Sequence, residues 1–186
     1  MKDCNVQNKM NIYMNIKFKE ITENDNGDFE LIAKWDNQDD IKYFIRPNFK
    51  EGEIEDITVD NILKGFQAKY NKKIYIILCN NKKIGYISID TDFVALYKKD
   101  QDSAWIGICI GESDYRGMGI SKKAMSYLEE KSRELNKTRI ELGVFEYNER
   151  AIELYKKIGY KKIGENKKTI YYNGGWYNDI RMEKYI

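Results

Sequence analysis

The sequence predicts a mixed α+β domain built on a mostly antiparallel central sheet flanked by helices, and three observations carry that expectation. A strand, helix, strand, helix, strand run begins near Ala104 and requires a parallel or locally parallel pair, because strands bridged by a helix re-enter a sheet in the same direction. Short strands joined by Asn- and Gly-rich turns on either side of that run signal antiparallel hairpins. The 186 residues are 42% hydrophobic, enough to fill one core, and a single core serves chains of up to roughly 250 residues. Residues 1–11 are polar and read as a flexible lead-in, with one domain over residues 12–186.

The elements follow in order. Tyr13 to Ile21 alternates through Ile12, Met14, Ile16 and Phe18 and predicts a first strand. Asn26 or Asp28 is placed to cap a short helix that turns Phe29, Ile32, Ala33 and Trp35 inward. Asp39 to Glu55 holds the only proline, Pro47, and reads as a loop with short helical pieces. Ile57 to Tyr70 carries Val59, Ile62, Leu63 and Phe66 at helical spacing. Ile74–Cys79 and Ile84–Ile89 are strands joined by Asn80-Asn81-Lys82-Lys83, a hairpin signal. Phe93 to Asp102 connects them to the strand Ala104–Ile110, with Ile106, Ile108 and Ile110 on one face and Trp105, Gly107 and Cys109 on the other.

A helix from Gly119 to about Leu135 buries Ile120, Ala124 and Leu128, and Arg139–Val144 is the next strand. Asn148 caps a further helix with the stripe Ala151, Leu154, Tyr155 and Ile158, and Gly159 ends it in the left-handed conformation. Lys161–Gly164, Thr169–Tyr172 and Tyr177–Lys184 close the sheet around a turn at Asn173-Gly174-Gly175.

Composition narrows the function. Lys+Arg 32 against Asp+Glu 30 leaves a net charge of +2, whereas a dedicated nucleic-acid binder carries a strongly basic footprint. No apolar stretch reaches the length of a membrane span and no signal peptide is evident, so a cytoplasmic protein fits. Cys4, Cys79 and Cys109 have neither paired nor metal-type spacing. The chain has no histidine, which rules out Ser-His-Asp and Cys-His machinery, histidine-based zinc sites and histidine general bases.

Two motifs carry chemistry. Asp114-Tyr115-Arg116-Gly117-Met118-Gly119-Ile120-Ser121 lies between a strand and a helix. A Gly-rich turn opening a helix points unpaired amides at one anion, and Gly117 and Gly119 permit close approach. Arg116 is placed to add a charge-assisted contact. Taken alone, the stretch also fits a simple strand-to-helix turn. A dinucleotide fingerprint lacks its first glycine here, and a nucleotide phosphate loop lacks its lysine. About thirty residues on come Asn148-Glu149-Arg150-Ala151, Leu154-Tyr155 and Gly159-Tyr160.

With these residues the chain resembles the GNAT superfamily of N-acetyltransferases over nearly its whole length. That superfamily's cofactor loop, Gln/Arg-x-x-Gly-x-Gly/Ala, falls on Asp114 to Gly119, with Asp114 departing at the first position. Its later motif, Asn-x-x-Ala-x-x-Leu-Tyr-x-x-x-Gly-Phe, falls on Asn148 to Tyr160 with only the last aromatic changed. The tail from Tyr172 to Met182 loosely resembles the branch holding ribosomal-protein N-terminal and polyamine acetylases. The resemblance implies a GNAT fold whose sheet splays into a V between the fourth and fifth strands, Ala104–Gly111 and Arg139–Val144. It implies acetyl-coenzyme A as cosubstrate without a metal: diphosphate on Arg116, Gly117, Met118, Gly119, Ile120 and Ser121, and the pantetheine arm on Ile108, Cys109 and Ile110. Asn148 would touch that arm and Tyr155 would sit beside the sulfur.

The implied reaction is direct attack of a primary amine, small-molecule or peptide, on a thioester. An alkyl ammonium of pKa ~10.4 is neutral in only about one molecule in a thousand near pH 7, a deficit of roughly 4 kcal/mol. Deprotonation is therefore the harder step, and Tyr155 as proton donor to the leaving thiolate the easier one. Glu112, directly after the fourth strand, is the first candidate base acting through water, ahead of Glu141 and Asp114. Trp35 and Tyr43 opposite Tyr172 and Trp176, with Glu141, form the expected amine pocket. A coenzyme A-binding sensor without turnover and a transferase of another acyl group are the alternatives, and relatives of this kind are commonly homodimers.

Overall fold

The computed structural model describes residues 14–68 and 71–186. The expected lead-in, Cys4, the strand start at Ile12 and Tyr13, and the helix end at Tyr70 lie outside the described residues. The first half holds β1 (Ile16–Glu20), α1 (Asn26–Asp36), α2 (Lys42–Ile45), α3 (Val59–Gln67), β2 (Lys72–Cys79) and β3 (Lys82–Asp90). The second holds β4 (Ser103–Ile110), α4 (Ile120–Glu134), β5 (Arg139–Phe145), α5 (Glu149–Lys157), β6 (Lys161–Tyr172) and β7 (Gly175–Tyr185). The strands form one sheet in the order β1-β2-β3-β4-β5-β7-β6. The β4–β5 pair is parallel and the other pairs are antiparallel.

Local chemistry explains the turns. Asn80 and Asn81 (φ 50° and 68°) and Asn173 and Gly174 (φ 46° and 79°) make two-residue hairpin loops with positive φ at both central positions, the geometry that matches strand twist and that Asn and Gly adopt most readily. Gly159, at φ 98°, ends α5, and the Tyr160 amide reaches back to the Tyr155 carbonyl at 2.9 Å. Thr58 and Asn61 form a reciprocal capping box at the start of α3. At α1 the capping position belongs to Asp25, not Asn26 or Asp28. Its carboxylate is turned to Thr22, while buried Asp28 pairs with Lys19 and Lys83.

The sheet buries both faces. Against α4 and α5 lie Ile87, Ile89, Ala104, Ile106, Ile140 and Leu142. Against α1 and α3 a second core gathers Phe29, Ile32, Trp35, Ile74, Ile76 and Cys109. β6 differs from expectation: instead of two short strands it runs unbroken from Lys161 to Tyr172, with register shifts at Lys162/Gly164 and Asn166/Ile170. It is an edge strand, where polar residues and bulges are tolerated because one side faces water. Among the described residues no helix is long and apolar enough to cross a membrane.

The feature that positions the site is the β4–β5 seam. Pairing covers Ser103↔Arg139, Ala104↔Ile140 and Trp105↔Glu141, and stops there. Beyond it β4 stays on β3 as far as Gly85↔Ile110, and β5 stays on β7 as far as Phe145↔Asp179. Each strand follows its outer neighbour, so the two part company and leave a wedge with unpaired backbone on both walls.

Candidate functional site

At the mouth of the wedge, beyond β4, the chain makes a short 3-10 turn (Ser113–Tyr115) and then the glycine loop. Gly117 (φ 75°) and Gly119 (φ 78°) are left-handed, and Gly119 precedes α4 without any side-chain cap. The Arg116 amide donates to Ser113 and the Lys122 amide to Gly119. Between them, the amides of Gly117, Met118, Gly119, Ile120 and Ser121 find no acceptor among the described residues. A row of unpaired amides at a helix start is an anion seat.

The structure gives Arg116 a different task from the anticipated anion contact. Its Nε donates to the Ile110 carbonyl at 2.9 Å, its Nη2 to Gly111 at 2.9 Å and to Gln38 at 3.2 Å, and its Nη1 pairs with Asp40. Four donors are thus spent tying the loop to the end of β4 and to the segment after α1. Arg150, in the first turn of α5, was passed over in the motif that contains it. Its Nη2 comes to 3.9 Å from where a Cβ on Gly117 would stand, and it has no hydrogen bond or ion pair among the described residues. Among the described residues it is an unpaired cation beside the loop.

Ile108, Cys109 and Ile110 lie on the β4 wall of the wedge beyond the last β5 pair. Asn148 caps α5 through Oδ1, which accepts from the Ala151 amide at 3.3 Å and leaves the side-chain NH2 unspent. Tyr155 sits in the core against β4 and β5, 8% exposed, with no hydrogen bond to its hydroxyl among the described residues. Burial pushes its pKa up to about 12, so the phenol stays protonated at neutral pH.

Three expected site residues are engaged in contacts within the protein. Glu141 is fully buried at the closed end of the wedge, where it pairs with Arg139 at 3.0 Å and accepts the Tyr97 amide at 2.6 Å and the Lys98 amide at 3.3 Å. That carboxylate is spent on holding the 91–102 connection. Trp35 is 0% exposed: its ring packs on Gly111, where a Cβ would stand 2.2 Å from Cγ, and its Nε1 donates to Glu112 at 3.0 Å. It is a buried buttress of the β4 tip rather than a pocket wall. Glu112, held by that indole, donates its own amide to Ile84 and approaches Lys82, so it lies on the β3 side of β4, away from the wedge.

The aromatic residues separate as well. Tyr43 and Tyr172 do meet, with ring centroids 5.3 Å apart. They border a cavity of about 280 Å³ with Gly52, Glu53 and Tyr171. Trp176, 39% exposed, instead packs on Tyr171. Tyr171 and Trp176 are cross-strand partners, as are Tyr172 and Gly175, and partners share a face while neighbours along a strand do not. Tyr147, unassigned from the sequence, is the hub: it stacks on Tyr172 at 4.4 Å, meets Tyr177 and Phe44 edge-on, and donates its hydroxyl to the Tyr43 carbonyl. Its place between the end of β5 and the helix cap Asn148 was the available signal.

Comparison with known proteins gives a consistent result. The profile of the acetyltransferase (GNAT) family matches residues 32–160. An uncharacterized N-acetyltransferase in the pepI 3′ region of Lactobacillus delbrueckii subsp. lactis is 24% identical over 151 residues, covering 81% of this chain and 87% of that protein. Spermidine N-acetyltransferase from Vibrio cholerae, solved in complex with CoA and spermine, superposes with a TM-score of 0.72 at 18% identity, over 91% of this chain and 95% of that one. Ribosomal-protein-alanine N-acetyltransferase from Brucella melitensis gives 0.69 at 18% identity, over 92% and 99%. At such identities the superpositions establish the shared fold.

Proposed function

The chain belongs to the acetyltransferase (GNAT) family, and we propose that it is an acetyl-coenzyme A-dependent enzyme that acetylates a primary amine by direct attack in a ternary complex. One observation carries the reading: five unpaired amides at a glycine-lined helix start stand at the mouth of a wedge whose walls offer unpaired strand edges. A diphosphate and an extended amide-bearing arm are the complement of those two surfaces.

Acetyl-coenzyme A supplies the acyl group as a thioester whose thiolate, of pKa about 8.5, leaves readily. The amides of Gly117 to Ser121 hold the diphosphate with the positive end of α4 behind them, and Arg150 adds an exposed charge. The open edge of Ile108–Ile110 holds the arm as a partial added strand, and the Asn148 NH2 is free to reach the same arm. Tyr155, protonated and without a hydrogen-bond partner among the described residues, gives its proton to the departing sulfur. Tyr43, Tyr147 and Tyr172 offer aromatic faces to a cationic amine on the other side of the sheet end.

The test is thiol release from acetyl-coenzyme A with spermidine, an arylalkylamine and an N-terminal alanine peptide as acceptors. Amine-dependent release with intersecting double-reciprocal lines is expected. Cofactor binding without release for any amine would identify a sensor instead, and parallel lines would overturn direct attack.

A further inference from the structure

Asp36 is the last residue of α1, 6% exposed, on the face of the sheet opposite α4 and α5. Its Oδ1 accepts the Tyr86 hydroxyl at 2.7 Å, and Tyr86 is its carboxyl's only hydrogen-bond partner among the described residues. A buried carboxylate that keeps one neutral donor and no ion pair is an expensive device for packing. A buried side chain that costs stability and is retained is a candidate functional group.

Its position gives the function. Tyr86 is the β3 partner of Cys109, so the Asp36–Tyr86 pair lies over the part of β4 that walls the wedge. On that face β4 presents Gly107 and Cys109, which add no more than a thiol above the backbone. The residues beside Asp36 are anchored to the same strand end: Trp35 on Gly111, and Gln38 on the Arg116 that holds the Ile110 and Gly111 carbonyls. The end of α1 is therefore docked rigidly on the tip of β4. The groups facing Asp36 are Tyr86 from β3, Cys109 from β4, Lys72 from β2 and Arg46 after α2, with Asp40 and Arg116 beyond Cys109. Burial outweighs the Tyr86 hydrogen bond and the two cations and lifts the carboxyl to about 6, close to working pH, where a proton acceptor is most effective.

We infer that Asp36, acting through the Tyr86 hydroxyl, takes the proton that the ammonium group of the acceptor must lose. This rests on the transferase reading above. In the step, a proton passes from the ammonium nitrogen to the Tyr86 oxygen as the Tyr86 proton passes to the Asp36 carboxylate, leaving a neutral amine. Its nitrogen lone pair then forms the C–N bond while the C–S pair leaves on sulfur. The sulfur takes the Tyr155 proton, Tyr155 recovers one from the acylated nitrogen, and Asp36 releases its proton to water. Asp36 is in this scheme a positioning and proton-storing residue, and Tyr86 the group that meets the amine.

The test compares wild type with Asp36→Asn and Tyr86→Phe, using an ordinary alkylamine and 2,2,2-trifluoroethylamine, which is already neutral near pH 7. With the alkylamine, Asp36→Asn is expected to lose on the order of 10²-fold in kcat/KM and the limb near pH 6. With trifluoroethylamine the loss should shrink to a few-fold, while acetyl-coenzyme A affinity stays unchanged. Tyr86→Phe should show the same contrast. An equal loss with both amines would mark a structural role and overturn the inference, as would an unchanged pH profile. Failure of the wild type to bind acetyl-coenzyme A would instead overturn the transferase reading, and this inference with it.

Discussion

Replacing Asp36 by Asn should make the protein more stable at neutral pH, and the gain should depend on pH in a way that packing changes do not. In the folded chain burial lifts the Asp36 carboxyl from its usual 3.8 to about 6. The folded state therefore binds this proton more tightly than the unfolded state. Stability from this group is fully present below pH 3.8 and is lost as pH rises through 6. The shift of about two units corresponds to about 3 kcal/mol of destabilisation by the buried charge above pH 6, an upper figure for the gain on removing it. Asn is isosteric and keeps an oxygen for the Tyr86 hydroxyl, so little is forfeited in exchange. For a chain of this size about 3 kcal/mol moves Tm by roughly 6–12 °C. Urea and thermal unfolding at pH 4, 5, 6 and 7.5 would read the difference, which should be roughly a fifth of its full size at pH 4 and level off above pH 6. A variant less stable than wild type at pH 7.5, or a gain of equal size at every pH, would refute the reasoning.

Tyr155→Phe should lower kcat by about 10 to 10²-fold while leaving the acetyl-coenzyme A Kd unchanged, because the hydroxyl has no partner to lose among the described residues; matched losses in steady-state rate and calorimetric affinity would contradict its role. Glu141→Ala should cost about 3–5 kcal/mol in urea unfolding, since it leaves buried Arg139 short of a partner. The same change removes the acceptor of two amides, so the 91–102 connection should become the first site of limited proteolysis. Arg150→Ala should weaken acetyl-coenzyme A binding about fivefold at low salt, with a smaller effect at high salt and no change in Tm, as befits an exposed cation without a partner among the described residues.

What the sequence disclosed was local. Asn80-Asn81, Asn173-Gly174 and Gly159 each announce a left-handed backbone, and the periodicity around them placed the helices and the parallel β4–β5 pair. The glycine loop was legible for the same reason, since its chemistry is a property of consecutive amides. What it concealed depends on partners far along the chain. Arg116 beside two glycines looks like an anion ligand until Gln38 and Asp40 fold onto it. Arg139 and Glu141, alternating onto one face of β5, look like a polar cleft lining, and only the 91–102 connection laid over them turns that face into an interior. Trp35 offered no sign of whether its ring would face a pocket or Gly111. The Trp176 expectation is different: a three-residue turn Asn173-Gly174-Gly175 would set Trp176 opposite Tyr172, whereas the two-residue turn at Asn173-Gly174 pairs Trp176 with Tyr171.

The account rests on the free amides at the start of α4, and calorimetric titration of acetyl-coenzyme A into wild type and Ser121→Glu tests them most directly. A glutamate in the first turn favours the helix by about 0.3–1 kcal/mol while placing a negative charge in the anion seat. The prediction is one site per wild-type chain and at least a tenfold weaker site in a variant that unfolds no earlier. Absence of binding to the wild type, or equal binding by the variant, would contradict the claim that those amides hold the cosubstrate.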